Sequence, residues 1–255
     1  MNDSSVSVII RTYNMGHVLK EAIHSVLNQT MSPEEIVIVD DASTDETPEI
    51  IASFSRQDSR IHNVRLSVNH GMYLTGKVGV ENSRGTYIAF LDHDDRWLPV
   101  HLERCINALR NKPNSVLAFS SYGSIDVHGR IIVSQADEPP LTTPPLKSFL
   151  LKKVIVHPSR SVYSRKAILA LGGIPPLIWD WILPVLLALH FPDGIIYIRE
   201  RTVFIRTGGA QSYSQPEKIS QDLLDAADYI FQHLPPSWQL LRRRIIAINL
   251  LHSSY

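Results

Sequence analysis

The first half of the chain alternates short apolar runs with amphipathic stretches, a pattern typical of strands and crossover helices in a mainly parallel sheet. The predicted strands cover Val6–Ile10, Glu35–Val39, Asn63–Val68 and Tyr87–Leu91. Three helices are predicted between these strands. The first covers 18–29, the second begins with the acidic segment 45–49, and the third covers 75–82. Because Tyr87–Leu91 is apolar throughout, we expect that strand to be central and covered on both faces. The pattern predicts an α/β fold.

The second half is less regular, and prolines divide it. A predicted helix over 99–111 is followed by predicted strands at Val116–Ser121 and Ile131–Ser134. Four prolines at 139, 140, 144 and 145 cannot lie inside a regular helix or strand, so they predict a loop. We place there the boundary between two halves, about 1–135 and about 146–212, of one domain that ends at 212. Residues 213–255 form a predicted helical C-terminal extension, broken at Pro235–Pro236.

Composition narrows the classes of partner and compartment. The 255 residues carry 25 Lys plus Arg and 25 Asp plus Glu, so no global field favours nucleic acid. The single cysteine, Cys105, excludes an intrachain disulfide and a multi-cysteine zinc site. The polar start of the chain lacks a secretory pattern, and the apolar stretch 182–191 is too short to cross a bilayer. We therefore expect a cytoplasmic protein that binds no nucleic acid.

Three carboxylates stand together where the strand Tyr87–Leu91 ends. Asp92, Asp94 and Asp95 repel one another unless a cation or hydrogen-bond donors compensate them. Mg²⁺ and Mn²⁺ prefer oxygen ligands and commonly take one or two protein carboxylates together with substrate phosphates. Ligands of open α/β sheets bind at the carboxyl ends of the strands. Two interpretations stay open: a metal site, or a solvated acidic turn in which Asp95 caps the next helix.

Three other enzyme or metal motifs fit less well. An EF-hand loop needs a further oxygen ligand and then glycine, where this chain has Arg96 and Trp97. Phosphatases of the haloacid dehalogenase type share Asp-x-Asp, but typically carry threonine or valine at the position of Arg96. A nucleotidyltransferase usually has an N-terminal glycine-rich phosphate loop, whereas 11–16 reads Arg-Thr-Tyr-Asn-Met-Gly.

The order and spacing of three segments resemble family 2 glycosyltransferases, the inverting family with the GT-A fold. These segments are Val6–Asn14, Val39–Asp45 and Tyr87–Pro99. The resemblance covers approximately residues 5–212, and the ordered set is far more specific than a lone Asp-x-Asp. It implies a nucleotide-sugar-binding half over about 1–135 and an acceptor-facing half over about 146–212.

The resemblance implies a donor site for a nucleotide-sugar, with a UDP-sugar as the expected donor. Tyr13 would stack on the base, with Thr12 beside it at the end of the first strand. Asp40 and Asp41 would bind the base and ribose, Asp41 at the position that usually contacts a uracil ring nitrogen. From the residues alone, Tyr13 could equally be a packing residue, and Asp41 could cap the following turn.

The resemblance also assigns the metal and the catalytic base. Asp92 would face the ribose and the metal, His93 lies in the same cofactor-binding segment, and Asp94 would be the principal ligand of Mn²⁺ or Mg²⁺. Asp180 matches the family's base, which follows a Gly-Gly pair and begins a helix. It would deprotonate an acceptor hydroxyl in a direct displacement that inverts the anomeric carbon. The alternative is that Asp180 only caps the helix.

Two segments depart from the family pattern. Where relatives commonly carry Ala-Arg-Asn, this chain has Thr75–Lys77, and Lys77 either supplies the missing charge or is a solvated helix residue. Where many relatives carry histidine after Tyr-Arg-x, this chain has Thr207, which leaves Arg206 to neutralise the diphosphate. His157 matches a recurrent family segment that lines the site, or is structural. The alternative to an active enzyme is therefore a nucleotide-sugar-binding module that has lost catalysis.

The tail and the acceptor side leave further alternatives open. Leu240–Ile246 mixes basic and apolar residues whose charges segregate only partly. Such a helix either packs on the core with its arginines outward or touches the inner face of a membrane peripherally. The acceptor side, Leu146–Ile198, carries no motif that fixes the transferred sugar or the hydroxyl acceptor.

Overall fold

The structure, a computed structural model, describes residues 4–138, 141–151, 154, 156–175, 177–208 and 216–252. Its strands are β1 (Val6–Thr12), β2 (Glu35–Asp40), β3 (Ile61–Arg65), β4 (Tyr87–Asp92), β5 (Arg96–Trp97), β6 (Leu117–Ile125), β7 (Ile131–Val133), β8 (Ser161–Ser164) and β9 (Ile195–Arg206). Its helices are α1 (Gly16–Leu27), α2 (Thr47–Gln57), α3 (Met72–Glu81), α4 (His101–Asn111), α5 (Leu146–Leu150), α6 (Arg165–Ala170), α7 (Trp179–His190), α8 (Pro216–His233), α9 (Pro236–Gln239) and α10 (Arg242–His252).

The strands form one mixed, mainly parallel sheet. Over the described ranges, its order is β3-β2-β1-β4-β8-β6-β9-β5, and β7 pairs with β6. Strands β1 to β4 run parallel, as do β6 and β9. Strand β8 runs against both of its neighbours, β4 and β6. The predicted α/β class, with a mainly parallel sheet flanked by helices, is confirmed.

Alternation along the central strands produces two apolar cores, one on each face of the sheet. In β1, Ile9 belongs to one core while Val8 and Ile10 belong to the other, and Phe90 and Leu91 of β4 divide in the same way. Helices α1, α2 and α4 cover the face of Val8, whereas α3, α5, α7 and α8 cover the face of Ile9. Covering both faces explains why these strands are apolar throughout, and it confirms the expected central position of β4.

The third strand differs from the prediction. We predict a strand over Asn63–Val68, but β3 covers Ile61–Arg65, and α3 begins at Met72. The Asp41 carboxylate accepts the backbone N–H groups of His70 at 2.8 Å and Gly71 at 2.7 Å. These charge-assisted hydrogen bonds draw the chain away from the sheet edge and towards the end of β2.

Three strands that follow β4, namely β5, β8 and β9, are missing from the prediction. Strand β5 has only two residues, and β8 has four. Strand β9 is exposed at Arg199 and Glu200 in its middle, so its sequence lacks a continuous apolar alternation. Long-range pairing with β6, rather than local pattern, holds β9 in the sheet.

The helical tail is confirmed, and α8 and α9 meet at the predicted break, Pro235–Pro236. Pro139 and Pro140 of the predicted boundary loop, and the predicted domain end at 212, lie outside the described residues. Throughout the portion that is described, helices fall short of the length and apolarity that a bilayer span requires.

Candidate functional site

Parallel pairing brings the predicted site residues to one edge of the sheet. The register places Thr12 beside Asp40 across β1 and β2, and Arg11 beside Asp92 across β1 and β4. These pairs lie at the carboxyl ends of their strands, where open α/β sheets bind ligands. The apolar strand pattern thus fixes which polar residues meet.

Asp92 and Asp95 lie at the two ends of a tight turn after β4. The N–H of Asp95 donates to the carbonyl of Asp92 at 3.1 Å, and the N–H of Asp92 donates to Ser159 Oγ at 3.0 Å. His157 lies between the carboxylates, with Nε2 3.7 Å from Asp92 Oδ2 and Nδ1 3.7 Å from Asp95 Oδ2. One ligand atom from each of the three residues lies within 4.8 Å of the others. This spacing suits one divalent ion.

His157 reaches this group because β8 runs antiparallel to β4. Ala89 pairs with Val162, so the residues that precede β8 lie at the carboxyl end of β4. A 3₁₀ turn over Pro158–Arg160 separates His157 from the strand, and His157 Nδ1 accepts the N–H of Ser159 at 3.3 Å. Of the two roles left open for His157, the structure favours the one that lines the site.

The charge of Asp92 is stabilised chiefly by the buried guanidinium of Arg11. Arg11 Nη2 donates to Asp92 Oδ1 in a buried ion pair. Burial raises the pKa of Asp92, but the charge of Arg11, followed by those of His157 and His93, holds that pKa below its usual value. The pair therefore stabilises the fold wherever both groups are charged.

The pKa of Asp95 is shifted in the opposite direction from that of Asp92. Burial raises its pKa, and the charges of Asp94 and Asp92 add to that effect, so the pKa lies well above its usual value. A hydrogen bond from Ser159 and the N–H of Arg206, which donates to Oδ1 at 2.8 Å, only partly oppose the rise. Its Oδ2 is buried and accepts no hydrogen bond from the described residues. Such an oxygen is unfavourable unless a cation or a proton approaches it.

Asp94 and His93 lie beside this group rather than in it. His93 Nδ1 lies 2.9 Å from the carbonyl of Arg11, and His93 Nε2 lies 4.0 Å from Asp94 Oδ1. The sequence prediction named Asp92 and Asp94 as the metal pair, whereas the structure groups Asp92 with Asp95 and His157. Asp94 stays a predicted ligand.

Arg206 is fully engaged within the protein. Its Nε donates to the carbonyl of Asp94 at 2.8 Å, and its Nη1 donates to the carbonyls of Asp126 at 2.9 Å and Val127 at 3.2 Å. Its Nη2 donates to Glu21 Oε2 at 2.7 Å. The predicted contact between Arg206 and a diphosphate would compete with these bonds, so the structure favours a role in fixing the carboxylate turn.

The predicted base-binding residues differ in access. Tyr13 is 42% exposed and free to stack on a planar ligand. Thr12 and Asp40 are buried, and Asp40 Oδ1 accepts the N–H of Ser43 at 3.0 Å. Asp40 therefore caps the turn that follows β2. The alternative role of Asp41, in which it caps this turn, is wrong.

Asp41 and Lys77, the two remaining residues predicted to bind the nucleotide-sugar, each contact other groups of the protein. Asp41 is buried, and each of its carboxylate oxygens already accepts one backbone N–H, from His70 or Gly71. Lys77 is exposed on α3 and lies 3.8 Å from Glu81 at the i,i+4 spacing. That contact favours the solvated-helix interpretation of Lys77.

Asp180 lies in the first turn of α7, on the side of the cluster formed by Asp92, Asp95 and His157. Its charge acts on His157, and the N-cap of the helix is Ile178 rather than Asp180. Trp179 packs on Phe90 with ring centroids 4.6 Å apart, and Trp181 Nε1 donates to the carbonyl of Phe149 at 3.0 Å. The two tryptophans that flank Asp180 in sequence are thus both fixed in the core.

The mixed, mainly parallel sheet flanked by helices matches the GT-A fold of solved glycosyltransferases. TarS of S. aureus, solved in complex with UDP-GlcNAc, has this fold, with a TM-score of 0.69, 20% identity, and coverage of 97% of this chain and 71% of that one. The mannosyltransferase PcManGT from Pyrobaculum calidifontis, in complex with GDP-Man and Mn²⁺, matches with a TM-score of 0.64 and 18% identity over 96% of this chain and 68% of that one.

The family follows from sequence. The model of glycosyl transferase family 2 matches residues 7–172, and the chain belongs to that family. TuaG of Bacillus subtilis is 37% identical over 117 residues, which cover 46% of each protein. The uncharacterized glycosyltransferase MJ1057 of Methanocaldococcus jannaschii is 34% identical over 65% of this chain and 58% of its own length. The chain thus spans about half of the length of these relatives.

Proposed function

We propose that this chain transfers a sugar from a nucleotide-sugar, a UDP-sugar being the expected donor, to a hydroxyl acceptor with inversion at the anomeric carbon. The observation that carries the proposal is the group Asp92, Asp95 and His157, whose ligand atoms lie within 4.8 Å at the carboxyl edge of the sheet. Family membership supports it. The nucleotide-sugars bound by TarS and PcManGT support the donor class.

The residues of this group fit Mn²⁺ or Mg²⁺. Asp95 Oδ2 is buried and accepts no hydrogen bond across the described ranges, and a cation would satisfy it. Two carboxylates and one imidazole form a ligand set that Mn²⁺ accepts. Asp92, Asp95 and His157 would hold the ion, with Asp94 as a further predicted ligand. When bound, the ion would stabilise the negative charge of the departing diphosphate.

Asp180 is the proposed general base. It is half-buried, and it lies close enough to His157 for their charges to interact. Its carboxylate would take the proton of the acceptor hydroxyl while the hydroxyl oxygen forms a bond to the anomeric carbon and the bond to the diphosphate breaks. Inversion in one step requires no covalent enzyme intermediate.

A thermal-shift panel of nucleotide-sugars, with and without Mn²⁺, tests the proposal. A donor that binds the native state raises the unfolding temperature according to its affinity, and we expect that rise to require Mn²⁺. No Mn²⁺-dependent rise with any nucleotide-sugar would overturn the proposal. Binding without hydrolysis or transfer to any acceptor would favour the binding-module alternative.

We also propose that the tail touches an anionic membrane surface. Leu240 is 90% exposed and Leu241 40%, and Arg243 and Arg244 just beyond them are exposed. Exposed leucines beside arginines combine apolar insertion with attraction to anionic headgroups. Co-sedimentation with phosphatidylglycerol-containing vesicles should decrease when Arg243 and Arg244 are changed to Glu, and pure phosphatidylcholine vesicles provide the control. Equal sedimentation of variant and wild type would end this proposal.

A further inference from the structure

Arg11 is a buried arginine that contacts three structural elements around the cluster of Asp92, Asp95 and His157. Its Nη2 donates to Asp92 Oδ1 at the end of β4, and its Nη1 donates to the carbonyl of Met72, at the start of α3, at 3.3 Å. Its guanidinium carbon lies 5.1 Å from the centre of the Trp179 ring, at the start of α7. Arg11 is only 4% exposed, and its Nε has no hydrogen-bond partner in the described structure. The guanidinium is therefore a fixed charge rather than a mobile surface group.

This fixed charge occupies the same carboxylate that a divalent ion would use. Asp92 Oδ1 accepts from Arg11, which leaves Oδ2, the oxygen 3.7 Å from His157 Nε2, as the side that faces the ligand group. Two cations that share one carboxylate repel each other, and the repulsion is strong where water is excluded. Arg11 should therefore weaken the binding of the ion.

The same guanidinium also acts on the residue before the proposed base. Trp179 is 2% exposed, and Arg11 and Phe90 both contact its ring. A cation held against an indole face is an attractive and orienting contact, especially when it is desolvated. Because Asp180 follows Trp179 directly, a shift of the indole would move Asp180 relative to His157.

We propose that Arg11 is a positioning residue with two effects. It limits the affinity of the cluster Asp92, Asp95 and His157 for a divalent ion, and it fixes the position of Asp180 through Trp179. The inference rests on the function proposed above. It predicts opposite changes in two measurements when Arg11 is removed, because the ion is bound more tightly while turnover falls. A residue that only supports the fold would weaken both.

The test uses Mn²⁺ alone, titrated into the chain of residues 1–255 and followed by the electron paramagnetic resonance signal of the free ion. Arg11→Met should bind Mn²⁺ about ten-fold more tightly, since one nearby positive charge is gone. UDP release from a UDP-sugar should slow by about ten-fold or more because Asp180 is less well placed. Unchanged or weaker Mn²⁺ binding by a folded Arg11→Met would overturn the inference.

A second variant separates the effect of the positive charge of Arg11 from the effect of its planar guanidinium. Arg11→Lys keeps the charge but lacks the planar face, so Mn²⁺ affinity should stay near the wild-type value while turnover still falls. Wild-type turnover in Arg11→Lys would exclude the effect through Trp179, and ten-fold tighter Mn²⁺ binding would exclude the charge effect. This variant also decides the matter if Arg11→Met does not fold.

Arg84→Met is the matched control. It removes one arginine from an ion pair with Glu35, before the start of β4 and at the opposite end of the strand from Asp92. Neither Mn²⁺ affinity nor turnover should change. If the wild type binds no Mn²⁺ at all, the metal site of the proposed function fails. If it binds Mn²⁺ but the Arg11 variants behave like the control, only the present inference fails.

Discussion

The backbone N–H of Arg206 donates to Asp95 Oδ1 at 2.8 Å and so ties the end of β9 to the carboxylate turn. The Arg206 side chain bonds to Asp94 and Glu21 from the same position. Arg206→Lys should lower the free energy of unfolding by about 2–4 kcal/mol, because a buried arginine with several partners is replaced by a single-point cation. Urea unfolding measures the change.

The control for that variant is Arg199→Lys, at an exposed position of the same strand, which should leave stability unchanged. Any loss of nucleotide affinity in folded Arg206→Lys should follow a loss of Mn²⁺ affinity, because this arginine fixes the carboxylate turn. A stable Arg206→Lys that binds Mn²⁺ like the wild type but loses nucleotide binding would instead support the sequence prediction that this arginine neutralises the diphosphate.

Asp92→Asn and Asp95→Asn should have opposite effects on the metal-free protein. The pKa of Asp92 is lowered, chiefly by Arg11, so its charge stabilises the native state at neutral pH and its loss should lower the unfolding temperature. The pKa of Asp95 is raised, chiefly by burial, so its charge is unfavourable and its removal should raise that temperature by a few degrees. Calorimetry in EDTA measures both, and Mn²⁺ should no longer stabilise either variant. A fall in both would contradict the assignment.

Asp180→Asn tests the base directly. Turnover should fall by about 10²–10⁴, the usual contribution of a general base, while nucleotide-sugar affinity should be unchanged. Asp193→Asn, an exposed aspartate just after α7, should keep wild-type turnover. A loss of donor affinity equal to the loss of turnover would indicate that Asp180 binds the donor rather than the acceptor proton.

His101 should make the fold sensitive to acid. Burial lowers its pKa from 6.5 to about 3, and its Nδ1 lies 2.6 Å from Thr202 Oγ1. Below pH 6.5 the unfolded chain takes up a proton that the native state cannot, so this residue should remove about 1.4 kcal/mol of stability per pH unit until about pH 3.

His101→Asn removes the titrating group, so its urea-unfolding free energy should vary less between pH 6.5 and 4.5 than that of the wild type. The exposed His128, changed to Asn, should leave the slope as it is. Identical slopes for wild type and His101→Asn would show that the acid sensitivity has another origin.

Strands β1, β2 and β4 can be predicted from the sequence because both of their faces are buried, whereas the prediction for β3 is shifted because this edge strand is mostly exposed. Apolar runs at β1, β2 and β4 therefore mark the strands, and the residues that follow them mark the carboxyl edge of the sheet. Arg11 and Asp92 become neighbours through that register alone. The carboxylates and Tyr13, the residue predicted to stack on the base, lie in this half of the chain.

The second half was harder to predict because non-local pairing decides it. His157 enters the carboxylate group only because β8 inverts, and the four residues of β8 give no sign of their direction. The bonds of Arg206 depend on the pairing of β9 with β6, across a strand with charged residues in its middle. The sequence alone therefore predicts that Arg206 contacts the diphosphate, whereas its neighbours in the fold are protein groups.

The inverted strand β8 has a consequence for the order of folding events. Asp92 and Asp95 come from the end of β4, but His157 can join them only when β8 has been inserted between β4 and β6. Pairings between distant parts of a chain form slowly, so the complete ligand group should be absent from the folding transition state. We expect Mn²⁺ to slow unfolding while leaving the refolding rate unchanged.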